Sequence, residues 1–356
     1  MRNVNELNFP LCLAPMVGLT HVALRRLIGD YMPLNATTHW PTEMLNSRRV
    51  PNENLKTTLE TLRRPEENNL VPQILGNEAV AIEKSVLRLV NEWGAAGIDI
   101  NMGCPVQKAL KHNYGVALMG DVDYAARVVE ITKKYSDVPV SVKLRAVGSE
   151  KSIPELIKFV QKLVDAGADW ITLHPRTAAQ KRKGNSDWSQ ITELKKYFKK
   201  NVQLPIIGNG DIQTFHDVTQ MLTETKADKV MAGRALAARP WMMWQLGEIL
   251  DFEAPVGFEH KKAPQTPEAE GAEYGKCLLK FIDYCEESFM QEAGATEALT
   301  LRKIQFFIRT TQVWLEFGHT LMAKCSRAQN LSDLRNIVVD FFKQEQRMNL
   351  RTELRQ

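Results

Sequence analysis

Residues 96–105 read AGIDINMGCP and contain a short apolar run that ends in an amide, a glycine and a thiol. The run from Ile98 to Asn101 predicts a short buried strand, because the glycine and proline that follow would soon interrupt a helix. In a closed parallel sheet the carboxyl end of each strand faces the catalytic mouth. Cys104 is therefore a candidate active-site thiol. The alternative is a small buried hydrophobe, which is the usual role of a free cysteine.

Strands and helices are predicted to alternate along residues 11–250. Branched and apolar runs predict strands at 11–14, 37–42, 70–76, 98–101, 138–145, 170–174, 204–209 and 229–233. Helical spacing predicts helices at 20–28, 77–90, 121–134, 153–166, 191–198, 214–222 and 241–250, with Asn77 as an N-cap. Residues 46–64 are polar, and no helix can be placed there. Eight such units favour an α/β fold of the (β/α)8 TIM barrel type over a doubly wound sheet, since no G-x-G-x-x-G turn follows the first strand.

The composition changes after residue 250. Residues 251–271 combine prolines and glycines with charges, which is typical of a linker. Only helical periodicity follows, at 274–290, 299–325 and 331–347. The predicted organisation is a barrel at 1–250, a linker at 251–271 and a small all-helical C-terminal domain at 272–356.

The composition bounds the class of protein. The chain has 356 residues, is 44% hydrophobic, and carries a net charge of +4, which is compatible with a polyanionic partner without requiring one. It contains no apolar run of membrane-spanning length and does not begin with a signal peptide, so a cytoplasmic protein is expected. Its five cysteines include no Cys-x-x-Cys pair, and neither a metal site nor a disulfide framework is predicted.

Polar side chains are concentrated at the predicted strand ends. Side chains two residues apart on a strand point the same way, so each pair of cations on a strand is expected to face one mouth. Together they favour a pocket for an anionic, hydrogen-bonding cofactor, although each one alone is better explained as solvated or structural. These residues are Gln73, Asn101, Lys143, Arg145, His174 and Arg176.

Glycines follow the last two predicted strands, in Gly208-Asn209-Gly210-Asp211 and in Gly233-Arg234. In barrels a phosphate commonly binds between these two loops, where glycine leaves backbone N–H groups approachable and an arginine supplies charge. The alternative is that the glycines only end the strands tightly. The chain has no serine nucleophile elbow, so hydrolysis is not the first expectation.

Seven motifs in order across the barrel resemble a dihydrouridine synthase, and the helical C-terminal part is also a feature of that family. The resemblance implies FMN-dependent reduction of the C5–C6 double bond of uridine in folded RNA, with NADPH as the reductant. The RNA is usually tRNA, and rRNA is left open. No obligate protein partner is inferred. The motifs are residues 13–17 (LAPMV), 73–76 (QILG), 99–105 (DINMGCP), 142–145 (VKLR), 174–177 (HPRT), 208–211 (GNGD) and 233–234 (GR).

The family's roles carry over to matching positions of this chain. The resemblance implies that Cys104 is the general acid that gives a proton to the base. Substrate contacts are implied for Asn101, Arg145 and Arg176. Flavin contacts are implied for Pro15, Met16, Val17, Gln73, Lys143 and His174, and contacts to the ribityl phosphate for Asn209, Gly210, Asp211, Gly233 and Arg234.

Two functions compete with this one: a flavin barrel acting on a free small molecule such as dihydroorotate or an enoate, and a non-catalytic RNA-binding protein on a barrel. The chain also departs from the family pattern, with Pro175 where glycine is usual and with Lys181-Arg182-Lys183-Gly184 where many members carry a Gly-Tyr pair. That basic loop either contacts an RNA phosphate or is solvated.

The helical domain is the predicted RNA-binding element, and a cap over a core edge is the alternative. A flavin cannot reach a base inside folded RNA, so the uridine must leave its stack while another part of the protein holds the RNA. The candidate cations are Arg302, Lys303, Arg309, Lys324 and Arg327.

Overall fold

The structure, a computed structural model, describes residues 3–105, 112–147, 152–180 and 183–353, and it confirms the (β/α)8 barrel. Eight parallel strands are hydrogen-bonded in the order β1-β8-β7-β6-β5-β4-β3-β2. Within the described ranges no ladder joins β1 to β2. Thr38 Oγ1 instead donates to the Leu11 carbonyl at 2.9 Å across this gap. The strands are β1 Leu11–Leu13, β2 Trp40–Asn46, β3 Leu70–Leu75, β4 Ile98–Met102, β5 Val140–Arg145, β6 Trp170–His174, β7 Ile206–Asn209 and β8 Lys229–Ala232.

Helices follow the strands and cover the outside of the barrel. They are α1 Val22–Gly29, α2 Ala79–Asn91, α3 Val122–Lys134, α4 Ile153–Asp165, α5 Ser189–Asn201, α6 Phe215–Thr225, α7 Arg234–Ala238 and α8 Met242–Ile249. The C-terminal part contains α9 Pro267–Cys285, a π-helical continuation at Glu286–Glu292, α10 Glu297–Thr311, α11 Gly318–Cys325 and α12 Leu331–Phe341. No helix in the described ranges is both long and apolar enough to cross a bilayer.

Alternate residues of each strand lie in two different environments. In β4, Ile98, Ile100 and Met102 belong to the large apolar core shared with the helices, whereas Asp99 and Asn101 are buried on the opposite face of the strand. That face forms the barrel interior, where Trp170, Ile207 and Met231 contribute to a second, smaller apolar cluster. The period of two therefore assigns polar side chains of β3, β4 and β5 to the inside of the barrel.

Several predicted boundaries are wrong for identifiable physical reasons. The second strand begins at Trp40 and not at Thr37, because Thr38 bonds to the Leu11 carbonyl of β1 through its side chain and not through a backbone ladder. Asn77 does not cap α2, since its amide donates to the carbonyls of His112 and Asn113 at 3.0 Å each. Helix α9 begins at Pro267, inside the stretch predicted as a linker.

The helix predicted at 299–325 is interrupted. α10 ends at Thr311, and the chain then forms a short 3-10 turn at Gln312–Trp314. α11 begins at Gly318, where a Cβ would overlap the Gln312 carbonyl oxygen. This close approach requires glycine, so the chain reverses here instead of continuing as one helix.

Polar contacts join the C-terminal helices to the barrel. Arg239, directly after α7, pairs through Nε with Glu270 Oε2 of α9 at 3.1 Å, and both side chains are buried. Glu270 Oε1 also accepts from Trp241 Nε1 at 3.0 Å and from Gln245 Nε2 at 3.1 Å. Removal of α9 would leave the Arg239 charge buried without its partner, which is strongly destabilising.

Two histidines are buried and neutral. Within the described residues, neither ring nitrogen of His21 has a hydrogen-bond partner, and the ring lies 4.8 Å from that of Phe289. Burial, helped by nearby Lys303 and Arg25, holds the pKa of His21 well below 6.5. Burial likewise lowers the pKa of His39 to about 3.

These histidines predict an acid-sensitive fold. Below pH 6.5 the unfolded chain binds a proton at each site and the folded chain does not, so the free energy of unfolding should fall as pH decreases. Each histidine should contribute about 1.4 kcal/mol per pH unit between its folded and unfolded pKa values. Denaturant unfolding between pH 7 and 5 should therefore show a shallower decline for His21→Leu. The exposed His319→Gln should keep the parent slope, and an unchanged slope for His21→Leu would contradict this account.

Candidate active site

A hydrogen-bond network crosses the barrel interior from β3 to β5. The buried Asp99 carboxylate accepts from Gln73 Nε2 and from Ser141 Oγ, both at 2.6 Å. Gln73 Oε1 in turn accepts from Asn101 Nδ2 at 2.7 Å. Burial raises the pKa of Asp99, and the hydrogen bonds from Ser141 and Gln73 oppose that shift. The network fixes the amide orientation of Gln73, which was predicted to contact the flavin.

Asn101 positions the candidate thiol. Its Oδ1 accepts from the backbone N–H of Cys104 at 3.0 Å and of Gly103 at 3.2 Å, which folds the chain directly after β4. Asn101 Nδ2 also lies 3.1 Å from Met44 Sδ. Cys104 is only 8% exposed. The amide of Asn101, predicted to contact substrate, is thus engaged by its own strand end and by Gln73.

Cations of β5 lie around the same strand end. Arg145 Nε donates to the Gly103 carbonyl at 2.8 Å, and its Nη1 reaches the Thr177 carbonyl at 3.4 Å. Lys143 Nζ donates to Asn209 Oδ1 at 3.2 Å, and burial, with nearby Arg145, lowers the pKa of Lys143 to about 8. The structure therefore brings Lys143 and Arg145 to one mouth, with Lys143 only partly protonated near pH 8.

Arg176 contacts the protein's own loops. Its Nη2 pairs with Asp211 Oδ1 at 2.6 Å, and its Nη1 donates to Ser186 Oγ at 2.8 Å. The same Nη1 lies 3.3 Å from His174 Nε2. Asp211 Oδ2 accepts from the Ser186 backbone N–H at 2.6 Å. These contacts join the loops after β6 and β7, and they engage both carboxylate oxygens of Asp211.

The two glycine loops pack closely against neighbouring loops at the mouth. Gly210 has φ +112, and a Cβ there would overlap the Ser186 hydroxyl and lie 2.9 Å from His174 Cδ2. A Cβ on Gly233 would lie 3.2 Å from Met16 Sδ. Arg234 follows as the half-buried first residue of α7. This arrangement places the loops after β1, β7 and β8 beside one another.

The loop after β1 contains the remaining predicted flavin contacts. Pro15 and Met16 are half-buried, whereas Val17 is 56% exposed. The Met16 backbone N–H donates to Thr20 Oγ1 at 3.0 Å, and that hydroxyl donates to the Ala14 carbonyl at 2.9 Å. These bonds fold the loop into a compact turn before α1.

Sequence reasoning missed Glu43 of β2. This buried carboxylate accepts from the Gly18 backbone N–H and from Lys303 Nζ of α10, the latter at 3.3 Å. Burial raises the pKa of Glu43, while Lys303 and Gly18 lower it. A carboxylate inside a strand signals a buried partner, which could have revealed this residue. Lys303, predicted to contact RNA, is instead used within the protein.

Two further predictions concern the basic loop and the absence of a metal site. Lys181 and Arg182 of the basic loop lie outside the described residues. In the described part of the chain, His, Cys, Asp and Glu side chains form no group of three or more that could hold a metal ion.

A sequence model of the family described as "Dihydrouridine synthase (Dus)" matches residues 12–300. The chain belongs to the dihydrouridine synthase family. The matched range begins in β1 and ends in α10, and it includes every predicted catalytic, flavin and uridine-contact residue. The candidate RNA contacts at residues 302–327 lie beyond it.

Proteins named "Probable tRNA-dihydrouridine synthase" are similar to this chain over about two thirds to three quarters of its length. The one from Rhizobium leguminosarum bv. phaseoli is 34% identical over 64% of this chain and 69% of its own. The one from Rickettsia conorii is 32% identical over 74% of this chain and 75% of its own. The one from Aquifex aeolicus is 34% identical over 70% of this chain and 75% of its own.

The bonds from Asn101 to the Cys104 loop predict how that thiol reacts. Asn101→Ala removes the side-chain oxygen that accepts two backbone hydrogen bonds, each worth about 1 kcal/mol. The loop should therefore open more often, and Cys104 should react roughly five- to thirtyfold faster with a thiol reagent. The other four cysteines are buried and free. Cys104→Ala in the same background should abolish the accelerated reaction. An equal rate in the parent and in Asn101→Ala would show that Asn101 does not hold the loop closed.

Proposed function

We propose that this chain reduces the C5–C6 double bond of uridine to dihydrouridine in folded tRNA, using FMN and NADPH. The observation that carries the proposal is Cys104, held by Asn101 beside Arg145 and near the partly protonated Lys143 at the mouth of the barrel. Membership of the dihydrouridine synthase family supports the same reaction. It does not favour the alternative of a barrel enzyme acting on free dihydroorotate or an enoate.

The residues present fit an FMN. Gly210 and Gly233 have no side chain to cover their backbone N–H groups, and Arg234 directly follows Gly233. A phosphate needs such approachable N–H groups and a cation. Gln73, Lys143 and His174 offer donors and acceptors of the kind that ring nitrogens and carbonyls require. Pro15, Met16 and Val17 supply the apolar side of the pocket. When bound, the reduced flavin supplies a hydride to C6 of the base.

The chain's own residues complete the reaction with a proton and with charge. Hydride addition at C6 leaves negative charge at C5 and the neighbouring carbonyl, and the Cys104 thiol gives its proton to C5. The thiolate that remains is reprotonated from solvent. Arg145, and Lys143 in its protonated form, stabilise the negative charge while it develops. This role requires a protonated thiol, so the Cys104 pKa should not be strongly depressed.

An exposed face of α10 supplies the proposed RNA contact. Arg302, Phe306 and Arg309 are exposed and are spaced so that they share one side of α10, and the exposed Val313 follows in the 3-10 turn. The Phe306 ring lies at the mouth, since a Cβ on Gly18 would be 2.9 Å from it. Within the described residues neither arginine makes an ion pair, so both are available for phosphates. We call these four residues the α10 face.

Gly233→Val tests the flavin site. The added side chain would meet Met16 Sδ and cover the backbone beside Arg234, so FMN affinity should fall at least tenfold. Flavin fluorescence during titration of the flavin-free protein measures this loss. Gly120→Val is the matched control, because a Cβ there meets nothing within 4 Å. Full FMN occupancy in Gly233→Val would refute the assignment.

Cys104→Ala tests the proton donor. Flavin reduction by NADPH should be retained, whereas uridine reduction in tRNA should slow by about a hundred- to ten-thousandfold, the usual contribution of a general acid. Cys104→Ser should resemble Cys104→Ala, because a hydroxyl is a far weaker acid. Cys325→Ala removes a buried thiol of the C-terminal helices and should leave the rate unchanged. Parent-rate reduction of uridine by Cys104→Ala would make this thiol a packing residue.

The α10 face predicts salt-dependent tRNA binding. Arg302→Ala and Arg309→Ala should each weaken binding and reduce the slope of log K against log salt by about one, the effect of one lost phosphate contact. Point variants are preferable to truncation, because removal of α9 would leave the buried Arg239 without its partner Glu270. Arg127→Ala, at an exposed position of α3, is the control. If Arg302→Ala and Arg309→Ala bind tRNA with the same affinity and salt slope as Arg127→Ala, the RNA does not contact the α10 face.

A further inference from the structure

The end of the described chain is bonded to the loop after β7. Gln213 Nε2 donates to the Thr352 carbonyl at 3.2 Å, and the Thr352 N–H donates back to Gln213 Oε1 at 3.0 Å. Trp314 Nε1, which belongs to a fully buried side chain, donates to the same Oε1 at 3.0 Å. All the polar atoms of the Gln213 amide are therefore engaged by residues of the C-terminal part.

The same segment reaches the capping box of α6. Asp217 Oδ2 accepts from the backbone N–H groups of Gln213 at 2.8 Å and of Thr214 at 2.9 Å. Its Oδ1 accepts from the Arg351 guanidinium. Asp217 is buried, so the half-exposed Arg351 provides the charge that compensates it. The Asp217 carboxylate thus bonds both to the backbone at the start of α6 and to the C-terminal segment.

A third contact extends to the region after β8. The Asn349 carbonyl accepts from Arg239 Nη2, and Arg239 directly follows α7, the helix that begins at Arg234. The Asn349 N–H donates to the Trp314 carbonyl at 2.7 Å. Residues 347–353, which we call the C-terminal strap, therefore contact the elements that follow β7 and β8.

We propose that the C-terminal strap, acting through Gln213, positions the loop at residues 210–213 and thereby sets the affinity for the flavin phosphate. This inference rests on the proposed function, in which that loop binds FMN. Asp211 has a φ of 61, a left-handed conformation that costs energy for a residue other than glycine, so contacts from outside the loop help to hold it. Bonds at its far end reduce the entropy that the loop would otherwise lose when a ligand binds.

Trp314 and the strap lie outside residues 12–300, the range matched by the family model. Gln213 is a positioning residue in this account, since it contacts the strap and Asp217 through the bonds described. A purely structural role would be different: the contacts would hold the strap in place and leave the loop unaffected.

Gln213→Leu tests the inference. Leucine is similar in size to glutamine but lacks the amide nitrogen and oxygen that bond to Thr352 and Trp314. Hydrogen exchange of residues 210–214 in the flavin-free protein should accelerate about tenfold, and the Kd for FMN should rise by a similar factor. Saturating FMN should restore turnover, so the defect lies in affinity and not in the chemical step. Arg351→Ala should act in the same direction, and Arg351→Lys, which keeps a cation near Asp217, should recover part of the loss.

Gln220→Leu is the matched control, since the Gln220 amide donates to Glu224 on the exposed side of the same helix. It should leave exchange and FMN affinity at parent values. If the parent binds FMN and Gln213→Leu binds it equally well with unchanged exchange, the strap does not position the loop. If the parent itself fails to bind FMN, the proposed function fails, and the exchange measurement still decides whether the strap orders residues 210–214.

Discussion

Burial on both faces of every barrel strand is the constraint on which the site depends. One set of alternate side chains packs against the helices, and the other set lies inside the barrel, away from water. Polar groups inside must therefore bond to one another, as Gln73, Asp99, Ser141 and Asn101 do. A buried group that loses its partner costs about 1 to 3 kcal/mol, so each member fixes the next. Because Asn101 ends this network at the N–H of Cys104, the packing of the interior determines where the thiol lies.

The local sequence pattern was sufficient to predict an element where the side chains of that element alternate with a single period. The strand at Trp170–His174 was predicted with its observed ends, since branched and aromatic residues alternate there between helix-facing and interior positions. Prediction failed where a distant contact decides the boundary. The second strand starts late because Thr38 bonds to β1, and the C-terminal helix breaks before Gly318 because the chain packs against Gln312. Neither contact has a signature within its own segment.

The site divides in a similar way. The spacing along β5 predicted that Lys143 and Arg145 share a face of the strand, because residues two apart point the same way. The structure places both at one mouth. The partners of these residues could not be predicted, because they come from positions far away in the sequence. Asn209 lies 66 residues from Lys143, and Glu43 is compensated by Lys303 from 260 residues away. A sequence shows which groups carry charge, whereas the fold determines which of them are already paired.

This distinction matters for interpreting the C-terminal part of the chain. The loop after β1 is bonded through Gly18 to Glu43, and Glu43 is paired with Lys303 of α10. A substitution of Lys303 would therefore leave a buried carboxylate without its charge partner at the mouth, and any effect on RNA would be indirect. Arg302, the preceding residue, has its side chain in solvent and carries no such consequence. Two adjacent cations on one helix thus have different physical roles, and only a substitution of the exposed one tests the proposed RNA contact without breaking a buried ion pair.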